Sequence, residues 1–149
     1  MNALSIDTAA RKAWMGLLAR TAPAHLAAFM PDLPDHAVLR GPEVGAVMVR
    51  GRVGGTGQPF NLGEMTVTRC SVRLEHGAVG HAHVQGRDKT HALRAAVLDA
   101  LMQTYAAEAL EGRILTPLRS AETAARSLRA TKAAATKVEF FTLVRGEDK

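Results

Sequence analysis

Arg87, Asp88 and Lys89 stand together within HVQGRDKTHALRAAVLDALM (residues 83–102), a basic, acidic, basic triplet placed where strand-like alternation gives way to helical spacing. Such a cluster can hold an anion, form the rim of a catalytic or metal site, or mark the corner between two elements. The corner has simple chemistry: Asp88 can accept the first free N–H groups of a helix, and Gly86 lets the chain bend into it. Arg87 and Lys89 then flank the positive end of the helix dipole, which is unfavourable unless an anion or an acidic surface lies nearby. The triplet therefore reads as a capped corner, for whose two cations a solvated surface is the plainer reading and contact with an anion or a partner the sharper one.

The second candidate is GGTGQPFNLG, residues 54–63. Gly54, Gly55 and Gly57 would let backbone N–H groups approach an anion, and Arg50 and Arg52 share one face of the preceding strand by the period of two. The spacing departs from GxxxxGK[ST], and the segment leads into a strand rather than a helix, so a nucleotide cradle is the weaker reading and a projecting hairpin loop the stronger. Arg50, Arg52 and the glycines are carried forward as candidate contacts for a partner or an anion.

His81 and His83 have the His-x-His spacing that sets two imidazoles side by side on a strand, with His76, His91 or Glu75 available as a third metal ligand. A metal-dependent hydrolase is one reading; ordinary strand residues are the plainer one, and no metal site is assigned. Arg119, Arg126, Arg129 and Lys132 nearly share a helix face, which suits a solvated surface or a nucleic-acid backbone. No Ser-His-Asp or paired-carboxylate set stands out, so no catalytic residue is assigned. Cys70 is the only cysteine and is expected to be a small packed residue, since one thiol can form neither an internal disulfide nor a zinc site.

These residues need a scaffold. A length of 149 residues suits a single domain spanning 1–149, and 47% hydrophobic content can fill a core built from Leu, Val, Ala and Met because aromatics supply only 4%. Helices are predicted from Asp7 to Ala19, capped by Asp7 or Thr8, and from Pro23 until Pro31 stops the second. Residues 38–40 and 44–53 read as two strands turned by Gly41-Pro42. The next strand, EMTVTRCSVRL, changes apolar phase and predicts a β-bulge near Arg69. Glu75-His76-Gly77 turns the chain into AVGHAHVQ; a helix from Asp88 then runs through Tyr105, EGRILTP connects, and a last helix spans Pro117 to about Thr136. KVEFFTLV reads as a terminal strand. The order predicts α+β architecture, an antiparallel sheet of about four to five strands with helices packed on it. No apolar run is long enough to span a bilayer and the N-terminus lacks a signal pattern, so the expected location is cytoplasmic. The formal charge of +5 and pI near 10.0 point to polyanions or acidic protein surfaces.

Three stretches taken together, RVGGTGQPFNLGEMTVTRCSVRL, VQGRDKTHALRAAVLDALM and VEFFTLVRGE, resemble the PhnG family in order and spacing, and RKAWMGLLAR and TKVEFFTLVRGEDK extend the likeness over nearly the whole chain. The resemblance implies a supporting subunit of the carbon–phosphorus lyase core, used to draw phosphorus from phosphonates. In that pathway PhnI, assisted by PhnG, PhnH and PhnL, displaces adenine from ATP with a phosphonate to give ribose 1-phosphonate 5-triphosphate. PhnJ, carrying an iron–sulfur cluster and using S-adenosylmethionine, later breaks the carbon–phosphorus bond. The implied partners are PhnI, PhnH and PhnJ, with PhnL in the transferase step; no membrane or nucleic acid is implied, no cofactor on this chain alone, and no catalytic residue. Family members often carry aromatic residues where this chain has His81 and His83, which weakens the metal reading. A free basic nucleic-acid-binding module, using Arg126, Arg129 and Lys132, is the alternative.

Overall fold

The structure is a computed structural model and describes residues 7–138. Asp7 caps α1 (Thr8–Arg20), its carboxylate accepting the Ala9 N–H at 3.0 Å, and Trp14, Leu17 and Leu18 form the buried face. In α2 (Pro23–Phe29) Pro23 occupies the first turn, where a missing N–H costs nothing, and Leu26 is buried. Both helices fall where their spacing predicts.

Three antiparallel strands follow, β1 (His36–Arg52), β2 (Pro59–Leu74) and β3 (Val79–Gln85), ordered β1-β2-β3. Gly41-Pro42 predicts a turn between two strands; the chain instead runs through it as one continuous strand, with a register irregularity between Arg40 and Glu43. β1 lies at the sheet edge, where a proline without an N–H is tolerated at a bulge, and an Arg40–Glu43 ion pair of 2.6 Å spans the site. The bulge expected near Arg69 does not form in β2, whose pairing with β3 is unbroken from Val67 to Arg73. Thr68 explains the misleading pattern. It continues the inward series Cys70, Val72, Leu74 because its hydroxyl donates to the Gly86 carbonyl at 2.8 Å, whereas Met65 and Val67 belong to the opposite face.

Glu75-His76-Gly77 makes the expected turn, with Gly77 at φ 95° and its N–H donating to the Leu74 carbonyl. After β3 comes α3 (Lys89–Leu101), the central helix, whose residues from Ala95 to Ala100 are all buried. It lies almost in contact with the backbone of β3: a Cβ added at Gly80 would sit 1.9 Å from the Ala96 carbonyl oxygen. α3 stops at Leu101 and leaves Tyr105 95% exposed, short of the predicted end, because Gln103 and Thr104 turn their side chains back onto the Asp99 and Leu101 carbonyls. The segment expected as a connector is helical. α4 (Ala107–Leu110) and a π-turn over Glu111–Leu115, which buries Ile114 and Leu115, lead directly into α5 (Thr116–Ala135).

The fold is α+β, with the helices and the inner sheet face sharing one apolar cluster. The described residues contain three strands rather than four or five; the terminal strand expected in KVEFFTLV lies, beyond Val138, outside them. No helix among the described residues is long and apolar enough to cross a membrane.

Candidate functional site

The corner forms as the residue types require. Gly86 adopts φ 90°, Asp88 caps α3 and its carboxylate accepts the His91 N–H at 2.8 Å. Arg87 and Lys89 are exposed and have no hydrogen-bond or ion-pair partner among the described residues. Immediately inside the corner, His91 is buried, its Nε2 donating to the Leu18 carbonyl at 3.1 Å while Nδ1 has no partner. Burial pushes its pKa below the ordinary histidine value, opposed by the Leu18 carbonyl and the Asp88 charge and assisted by Arg94.

The register shows what stands above the corner. β3 ends with Gln85 opposite Val67, while β1 and β2 continue pairing to Arg52 opposite Pro59, so beyond Thr66 the sheet narrows to a two-stranded ribbon. The ribbon is more extensive than the loop predicted for residues 54–63, because strand pairing resumes at Pro59. Gly54 and Gly55 take φ 60° and 84°, and at Gly57 a Cβ would lie 2.7 Å from the Val53 carbonyl oxygen. The tight turn itself thus accounts for these three glycines. Arg50 and Arg52 are exposed on one face of the ribbon, and Arg52 donates to the Gly57 carbonyl at 3.1 Å. Met48 and Leu62 are 52% and 64% exposed, with Val44, Val53 and Phe60 also open to solvent. The predicted residues therefore fall in two places on one feature, the triplet at the ribbon's foot and Arg50, Arg52 and the glycines toward its tip.

His81 and His83 share the outer sheet face, but the Nδ1 of His81 is hydrogen-bonded to the Ser71 hydroxyl at 2.8 Å and His83 lies opposite Arg69 in the ladder. A neighbouring guanidinium disfavours a bound cation, and no group of three or more His, Cys, Asp or Glu is gathered among the described residues. Cys70 is packed as expected, and burial raises its thiol pKa. On α5, Arg119 pairs with Glu111 and Arg20 with Glu122 at 2.6 Å, while Arg126, Arg129 and Lys132 lie on an exposed surface; only Leu118 of α5 is buried.

One polar centre escapes sequence reasoning. Asp99 is fully buried in α3 and accepts hydrogen bonds from Arg11 at 2.6 and 3.1 Å, from Trp14 Nε1 at 2.8 Å and from the His81 backbone N–H at 2.9 Å. It fastens α1 and the edge of β3 to the central helix. The signal was an aspartate inside the apolar run AAVLDALM, but its partners are far away in the chain.

The family model described as "Phosphonate metabolism protein PhnG" matches residues 9–146. The Rhizobium meliloti (strain 1021) protein named alpha-D-ribose 1-methylphosphonate 5-triphosphate synthase subunit PhnG is 46% identical over 147 residues, covering 94% of this chain and 92% of that protein. Two of the stretches that carry the resemblance, residues 52–74 and 84–102, also build part of the ribbon, the corner and the central helix, and the match spans both: the chain belongs to the PhnG family of phosphonate metabolism proteins.

Proposed function

We propose that this chain is a supporting, non-catalytic subunit of a phosphonate-to-ATP transferase, assembling in the cytoplasm with PhnI, PhnH and PhnJ, with PhnL acting in the transferase step. In this reading PhnI displaces adenine from ATP with a phosphonate and this chain holds the assembly in register. The observation that carries it is the ribbon: a two-stranded hairpin is marginally stable alone in water, yet this one extends past the sheet with apolar residues exposed, as expected of a surface that packs against another subunit. α5 adds a second uncovered surface. The name borne by the relative, a synthase subunit, supports the same reading. Iron–sulfur and S-adenosylmethionine chemistry is assigned to PhnJ. A single buried thiol, Cys70, is not a donor set for a cluster.

Arg87 and Lys89 at the foot of the ribbon and Arg50 and Arg52 toward its tip are proposed to meet acidic partner surfaces or a bound anion. Deleting the gene should abolish growth on a phosphonate as sole phosphorus source while leaving growth on phosphate intact. Reversing Arg87 and Lys89 to glutamate should slow that growth several-fold, because like charges would then face each other across the contact. Undiminished growth of the deletion strain on phosphonate would overturn the role. The nucleic-acid alternative instead requires steeply salt-dependent retention of the isolated chain on nucleic acid.

A further inference from the structure

The free edge of β3 is only half closed. His81 gives its backbone N–H to Asp99 rather than to β2, so in an antiparallel ladder residues 79, 81, 83 and 85 all direct N–H and C=O away from the sheet. At the start of the strand those groups are occupied: the Val79 carbonyl accepts from Gln103 Nε2 at 2.7 Å and from Arg11 at 3.4 Å, and Asp99 holds the His81 N–H. The covering ends there. No described residue takes the outward N–H and C=O of His83. Beside this stretch runs an open groove of about 550 Å³, with Lys12, Met15 and Gly16 of α1 on one side, β3 on the other, and Leu18 and Ala95 lining its interior.

We propose that this edge is a strand-addition site that takes an extended segment of a partner polypeptide with alternating apolar and acidic side chains. A strand laid beside β3 continues its pleat, so every second side chain enters the groove toward Met15, Leu18 and Ala95. The others emerge on the outer sheet face, where His81, His83, Arg69 and Arg73 are exposed and the paired stretches of β2 and β3 carry no acidic residue. That charge selects acidic side chains at those positions. This chain's own VEFFTLV segment, residues 138–144, is apolar at both parities and does not match; a second copy pairing edge to edge would set histidine against histidine. The inference rests on the subunit role proposed above.

The test is amide hydrogen exchange on the chain alone and on the assembly purified by co-expression with PhnI, PhnH and PhnJ. The His83 amide should exchange about tenfold or more slowly in the assembly than in the isolated chain. His83→Pro removes an N–H that β2 does not use, so it should reduce co-purification while leaving the thermal transition of the isolated chain nearly unchanged. An assembly that forms with unchanged His83 exchange overturns the site but leaves the subunit role standing. Failure to assemble at all overturns both. Protection already present in the isolated chain also overturns it, pointing to a second copy if it grows with concentration and to the chain's own tail if it vanishes on truncation after Val138. Should the proline variant unfold, exchange in the unmodified chain decides the matter.

Discussion

Asp99 concentrates more buried polar contacts than any other side chain described above, and replacing it with alanine strands the Trp14 and His81 donors together with a partly buried guanidinium. Asp99→Ala should lower unfolding free energy by about 3 kcal/mol, read from urea denaturation; a loss below ~1 kcal/mol would mean that water replaces the carboxylate easily. His91 provides a pH-dependent counterpart. Its folded-state pKa is depressed, chiefly by burial, so below about 6.5 the unfolded chain binds the extra proton and the folded chain resists it. Stability should therefore be complete above pH 7 and fall as pH drops from about 6.5 toward the depressed value, a slope that His91→Gln flattens. Equal slopes for the two proteins between pH 7 and 5 would contradict this. At this scale legibility followed sequence distance. Asp88 could be read as a cap because its acceptor role is local, whereas Asp99 is defined by Arg11, Trp14 and His81, none of which is near it in the chain.

Between elements, the closest approach is α3 over β3 at Gly80, where any side chain meets helix backbone rather than a flexible group. Gly80→Ala should cost about 1–3 kcal/mol by overpacking, measurable as a lowered unfolding midpoint; a neutral result would show that α3 can lift off the strand freely. The ribbon should behave in the opposite way. Met48→Lys combined with Leu62→Lys places charge on surface already exposed, so the unfolding free energy of the isolated chain should hold within about 0.5 kcal/mol while capture of partner subunits drops. The helix α1 was legible from its Asp7 cap and apolar spacing, and α2 and α5 from prolines that fit a first turn, all of them local signals. β1 was not: Gly41-Pro42 has the chemistry of a turn, and only its place on an edge strand lets it sit in a bulge. The segment 54–63 is more ordered than a loop for a related reason, since cross-strand pairing from Pro59 extends order into a glycine- and proline-bearing stretch that local rules leave irregular.

At the scale of the whole molecule, the core is closed by α1, α2, α3, the inner sheet face and the segment from Leu110 to Leu118, and no described residue covers the ribbon, most of α5 or the free part of the β3 edge. Among the described residues, the candidates of the corner and the ribbon, Arg87, Lys89, Arg50 and Arg52, sit on outward-facing elements. Family membership was legible because three long motifs kept their order, while the surfaces' roles were not, because exposure and strand register emerge only from pairing. The central claim, that these surfaces serve assembly, is tested most directly by size-exclusion chromatography of the chain co-expressed with PhnI, PhnH and PhnJ. Co-elution of this chain with PhnI in a single peak, lost in the Met48→Lys, Leu62→Lys variant, is the predicted result; elution of the wild-type chain on its own, apart from PhnI, would contradict it.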